Sequence, residues 1–157
     1  MTTDRIWNIY LSGEIHSDWR NELRDAAQRA QLPASFTSPV TDHQASDRCG
    51  VAILGDEPNP FWQDRKGAQL NAIRTRTLIR EADIVVVRFG DKYRQWNAAF
   101  DAGFAVAAGK PVIALHPPDL GHALKEVDAA ALAVAETTDQ VLQILTYAIS
   151  GELSGGG

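Results

Sequence analysis

The feature that most constrains this chain is the alternation of short β-branched runs with longer stretches of helical spacing. "IWNIYL" (6–11), "DIVVVRF" (83–89) and "PVIAL" (111–115) are apolar runs of strand length, each followed by a segment with apolar residues every three or four positions. Strands that alternate with helices build βαβ units, and the strands of the resulting parallel sheet are apolar because helices cover both faces. In the first helical stretch, "DWRNELRDAAQRAQ", Trp19, Leu23, Ala26 and Ala30 share one face. Ser17 or Asp18 is the expected cap and Pro33 the stop.

"ASFTS" (34–38) reads as a brief second strand. Residues 39–66, rich in Pro, Gly, Asp and Ser, read as an irregular excursion of the kind that builds functional loops or partner contacts, with "VAIL" (51–54) as one helical turn in preference to a short strand. A helix is expected over 68–82, with Leu70, Ile73, Thr77, Leu78 and Ala82 inward, and another over about 97–108, stopped by Gly109. A helical segment near "LGHALKEV", a strand at "ALAVAE" (131–136) and a helix "DQVLQILTYAI" capped by Thr138 complete the pattern. These elements predict one domain over 1–150: an α/β, three-layer, flavodoxin-like fold with a five-stranded parallel sheet of order 2-1-3-4-5. The tail 151–157, "GELSGGG", is expected to be disordered.

Composition narrows the function. A net charge of −5 without a basic cluster gives no electrostatic footing for nucleic acid. The apolar runs fall far short of the roughly 20 residues that span a bilayer, so no membrane association is expected. A lone Cys49 excludes an internal disulfide and points to a reducing, cytoplasmic setting. No Walker or GxGxxG pattern and no cluster of metal ligands is present, so neither a cofactor nor a metal is expected.

In open parallel sheets the ligand crevice lies beyond the carboxyl ends of the strands where the strand order reverses, here between strands 1 and 3. The loops that meet there, "SGEIHSD" (12–18) and "GDKYRQWNAAFD" (90–101), carry Glu14, His16, Tyr93, Trp96, Asn97 and Asp101. Asp101 lies among small residues one turn into its helix, near the favourable end of the helix dipole. A desolvated carboxylate there could attack carbon or stabilise a cation; an exposed one would only complement the dipole. Glu14 reads equally as an acid or a cap, whereas His16, His43 and His116 read more readily as solvated loop residues than as catalytic ones. Tyr93 and Trp96 could stack on a base or sugar. One of Arg74 and Arg76 could turn inward toward a phosphate, since two residues apart they cannot share a helix face.

"NIYLSGEIHSDWR", "LNAIRTRTLIREADIVVVRFGDKYRQWN" and "AAFDAGFAVAAGKPVIALHPP" together resemble the YtoQ family of small bacterial proteins, over residues 6–148. More distantly the layout is similar to the nucleoside 2-deoxyribosyltransferase superfamily. The resemblance matches Tyr10 to Gly13 with a "YxxG" strand end and Asp101 with a nucleophilic Glu before "xGxAxxxGKPV". It implies cleavage of an N-glycosidic bond of a nucleoside or nucleotide, with Asp101 as nucleophile and Tyr10 orienting it; the strand-order reversal, which sets Glu14 opposite Asp101, offers Glu14 as the replacement acid/base. Gly13, His16, Arg74, Tyr93, Trp96 and Asn97 would line the substrate site, and a homo-oligomer is implied. The chain departs from that superfamily in having Asp for Glu, and in placing Gln95 and Thr75 where acids are expected. A non-catalytic nucleotide-binding or sensing module is the alternative those losses favour.

Overall fold

A computed structural model describes residues 5–153. The expected disorder of the tail therefore lies, for 154–157, outside the described residues; Gly151 is the left-handed cap of the last helix. Five strands form one parallel sheet in the order β2-β1-β3-β4-β5: β1 (Trp7–Gly13), β2 (Ala34–Thr37), β3 (Ile84–Arg88), β4 (Val112–Leu115) and β5 (Ala133–Ala135). Six α-helices connect and cover them: α1 (Trp19–Arg29), α2 (His43–Leu54), α3 (Pro60–Glu81), α4 (Trp96–Ala107), α5 (Lys125–Ala130) and α6 (Thr138–Ser150). The expected fold class and strand order are those observed.

Strand side chains alternate between faces, and this divides the core in two. Ile9, Leu11, Ile84 and Val86 pack with Trp19 and Leu23 of α1 and Val141 and Leu145 of α6. Tyr10, Val85 and Val87 pack on the opposite face with Ile79 of α3 and Ala98, Ala102 and Ala105 of α4. Alanines let α4 lie close to the sheet, which brings the residues of its first turns near the end of β1.

The excursion is not irregular. Asp42 caps α2 through a bond from the Ala45 N–H, and "VAIL" is that helix's last turn, ended by Gly55 at φ 98°. Asn59 and Pro60 start α3 eight residues before the expected boundary. The two helices cross so closely that a Cβ on Gly50 would meet Gly67 N and Lys66 Cβ at 2.6 Å. Close packing through glycine leaves no apolar stripe to read, which is why the spacing does not reveal α2. Of the expected inward face of α3, Ala82 is buried and Leu70 and Leu78 are partly buried, but Ile73 is 66 % exposed and Thr77 is exposed, and Gly67 and Ile79 are buried instead. On α1 the buried set is Trp19, Arg20, Leu23 and Ala27, with Ala30 exposed. The cap of α6 is Thr137, one residue earlier than expected, in a capping box with Gln140.

Candidate active site

The register places the site. β3 pairs with β1 as far as Gly13, opposite Arg88, while β2 pairs with β1 only as far as Tyr10. The last residues of β1 thus project at the strand-order reversal. Tyr10 and Ser12 point to the α3/α4 face, two residues apart on one strand. Ser12, fully buried, donates from Oγ to Asp101 Oδ2 at 2.6 Å. Burial pushes the Asp101 carboxyl above its ordinary range, and the Ser12 bond partly offsets this.

Tyr10 is fully buried, and among the described residues its hydroxyl has no hydrogen-bond partner of good geometry although Thr75 lies beside it. Burial pushes its pKa up to about 12; Thr75 works against the rise and the Asp101 charge adds to it. A buried hydroxyl without a partner forgoes about 1–3 kcal/mol. Such groups in a native fold call for a reason, and a crevice that takes a polar ligand is one.

Gly13 adopts φ 106°, and a Cβ there would meet Arg88 O at 2.1 Å, so the chain can turn out of the sheet here only with glycine. Glu14 follows, 5 % exposed. Its carboxylate accepts from the backbone N–H groups of His16 and Ser17, from Ser17 Oγ, and from Arg88 Nη1 at 2.5 Å. Burial alone would raise the Glu14 carboxyl, but the Ser17 and His16 donors and the Arg88 charge outweigh it and hold the group below its ordinary range. Arg88 is on the α1/α6 side, in line with Ile84 and Val86, where it lines a cleft with Ser17, Trp19 and Thr137. Glu14, expected as the acid/base opposite Asp101, spends its carboxylate on Ser17, the His16 N–H and Arg88. These donors favour the ionised form of Glu14, and its partner Arg88 lies on the α1/α6 side, whereas Asp101 bonds Ser12 on the α3/α4 side.

The His16 ring packs against Tyr93 at 4.6 Å between centroids and lies 6.4 Å from His43 at the start of α2. Trp96, 72 % exposed, and Asn97 stand on the exposed side of the first turn of α4. Neither Arg74 nor Arg76 is buried; Arg74 Nη2 donates to Ser38 O, and its charge reaches Tyr10. Thr75, between them, is the residue that faces the site. His116 is not a solvated loop residue: it is 4 % exposed and bonds Asp128 on α5 at 2.9 Å. Among the described residues no group of three or more His, Cys, Asp or Glu could hold a metal ion, and no helix is long and apolar enough to cross a membrane.

Sequence reasoning missed Ser12, Arg20 and Arg88. Ser12 was within reach, since period two from Tyr10 puts it on the same face. Arg88, a charge ending a fully apolar strand, was a visible anomaly. Arg20 gave no signal, being one of many arginines on a polar helix.

A parallel sheet of order 2-1-3-4-5 with helices on both faces defines a flavodoxin-like α/β protein. The family described as nucleoside 2-deoxyribosyltransferase YtoQ matches residues 10–149. The chain is 42 % identical over 144 residues to the uncharacterized protein YtoQ of Bacillus subtilis (strain 168), covering 92 % of this chain and 97 % of that one. It belongs to the YtoQ family. In fold it is similar to the 2-deoxyribosyltransferase of Bacillus psychrosaccharolyticus, with a TM-score of 0.52 and 19 % identity over 86 % of this chain and 90 % of that one. It is also similar to a conserved protein of Enterococcus faecalis V583, with a TM-score of 0.65 and 13 % identity over 92 % and 99 % of the two chains.

Proposed function

We propose that the protein cleaves the N-glycosidic bond of a nucleoside or nucleotide, with Asp101 as nucleophile. The observation that carries this reading is the desolvated Asp101 carboxylate, fixed by Ser12 beside the unpartnered Tyr10 hydroxyl at the strand-order reversal. A carboxylate with little hydration to shed is ready to attack, and one held in a single geometry is already aimed. An Asp101 oxygen would bond the anomeric carbon as the carbon–nitrogen bond breaks, its electron pair leaving on the base. Water or a second base then displaces the carboxylate. The Tyr10 hydroxyl serves as a donor that orients the carboxylate or the sugar. The departing base takes its proton from a group other than Glu14, whose role is to brace the loop through Arg88 and Ser17.

His16 and Tyr93, packed together, and the exposed Trp96 offer flat surfaces to a base, Gly13 lets the substrate approach the backbone, and Asn97 offers an amide at the rim. Arg74 beside Ser38 supports a substrate with a phosphate. No cofactor enters this chemistry, and the setting is the cytoplasm. Ile53, Leu54, Phe61 and Trp62 form an exposed apolar group at the tip of the α2–α3 hairpin, which supports a homo-oligomer joined there.

A second reading, a module that binds the same ligand without turning it over, is favoured by one observation, the ion-locked Glu14. One experiment separates them: the protein and Asp101→Asn are incubated with a panel of nucleosides and 5′-monophosphates. Base release by the protein and its loss in the variant, by at least about a hundredfold, supports the enzyme. A saturable thermal shift without base release supports the module, and neither response contradicts both.

A further inference from the structure

Beyond Tyr10, β1 has a sheet neighbour on one side only. Pairing with β3 continues to Gly13, but β2 ends opposite Tyr10 at Thr37. Carbonyls two residues apart on a strand point to the same edge, and unpaired carbonyls in a dry setting are costly. Arg20 of α1 fills this gap. Its Nε donates to Leu11 O at 3.1 Å, its Nη2 to Gly13 O at 3.1 Å and its Nη1 to Glu14 O at 2.6 Å. Trp19 Nε1 adds a second donor to Glu14 O at 2.8 Å.

Arg20 is 6 % exposed, and no carboxylate among the described residues forms an ion pair with it. Desolvation brings its pKa down to about 10. A buried cation satisfied by backbone carbonyls instead of a counter-ion is an expensive way to hold a fold together. It is well suited to fixing one backbone segment, because the planar fork of a guanidinium can bridge alternate carbonyls, which a lysine cannot.

The clamped carbonyls flank Ser12. We infer that Arg20 is a positioning residue for Asp101: it replaces the missing strand along Leu11–Glu14 and thereby holds Ser12 Oγ on the carboxylate. That Asp101 is the reacting group rests on the function proposed above; that Arg20 sets its hydrogen bond does not.

The test is the titration of the Asp101 carboxyl, followed by NMR in protein carrying ¹³C-labelled aspartate and assigned with Asp101→Asn. Ser12→Ala removes the bond directly and is expected to raise the midpoint by about 0.5–1 pH unit. Arg20→Lys is expected to move it in the same direction, most of the way to the Ser12→Ala value. A midpoint in Arg20→Lys equal to that of the unmodified protein overturns the inference, as does a Ser12→Ala variant that does not shift. A measurement on the unmodified protein needs no variant to fold: the Arg20 Nη resonances are expected to be separate and exchange-protected, and an averaged, freely rotating guanidinium overturns the clamp. If the midpoints shift as expected while no nucleoside or nucleotide releases base, the clamp stands and the glycosidic reading falls.

Discussion

Glu14 and Asp101 stand at the same end of the sheet but on opposite sides of it: Glu14 is bonded to Arg88 on the α1/α6 side, and Asp101 to Ser12 on the α3/α4 side. Gly13 lets this happen, by turning the chain out of the strand between Ser12 and Glu14. The Glu14 carboxylate has three residues as hydrogen-bond partners and that of Asp101 has Ser12.

Their protonation gives opposite stability signatures in acid. Glu14 has a folded pKa below its unfolded value, so its contribution is present above the ordinary carboxyl range and is lost as pH falls through the lowered value. Asp101 has a folded pKa above its unfolded value, so stability from its protonated form is present at low pH and is lost as pH rises through the raised value. Thermal melts from pH 7 to pH 3 are expected to show Glu14→Gln destabilised at pH 7 with a flatter acid limb. Asp101→Asn is expected to be more stable than the unmodified protein at pH 7, by up to about 1–2 kcal/mol, as happens when a functional site is relieved of a strained group. The reverse order at pH 7 would sink the assignment.

Tyr10→Phe separates function from stability. The hydroxyl it deletes has no partner of good geometry, so denaturant unfolding is expected to place the variant within about 1 kcal/mol of the unmodified protein or above it. Its rate of base release is expected to fall by at least about tenfold, the loss of one oriented donor. A clear loss of stability would mean that the hydroxyl is satisfied in solution.

Gly13→Ala combines a positive φ with a Cβ placed against Arg88 O. A left-handed or otherwise Gly-only conformation costs a substituted residue about 1–3 kcal/mol, and the clash adds to it. Urea unfolding is expected to lose at least about 3 kcal/mol, and a loss under about 1 kcal/mol would show that the turn is not constrained.

Phe61→Glu with Trp62→Glu tests the hairpin tip. Both residues are exposed and apolar, at the start of α3. Sedimentation is expected to show an oligomer for the unmodified protein and a monomer with unchanged circular dichroism for the double variant. A monomer in both cases leaves the exposed tip without a role in self-association.

The layered fold was legible because parallel strands leave a plain mark: "DIVVVRF" and "PVIAL" are apolar for both faces at once. The desolvation of Asp101 was legible too, as one charge in a run of alanines. The α2–α3 hairpin was not, because helices that meet through Gly50 and Gly67 need no apolar stripe and direct Ile73 outward. Nor was the separation of Glu14 from Asp101. Their loops meet at the crevice, but the face each side chain takes depends on a single backbone angle at Gly13. It depends also on Arg88, which the alternation of β3 puts on the side of Ile84 and Val86.

The most direct measurement is a search for the bond itself. A nucleoside whose sugar carries fluorine in place of the 2′-hydroxyl slows breakdown of a glycosyl–carboxylate ester by destabilising positive charge at the anomeric carbon, so the intermediate accumulates. Intact mass spectrometry after incubation with such nucleosides and their 5′-monophosphates is expected to show the protein heavier by one fluorosugar. The added mass should map to the peptide containing Asp101 and be absent from Asp101→Asn. Base release accompanied by an adduct elsewhere, or by an adduct that persists in Asp101→Asn, would contradict the account.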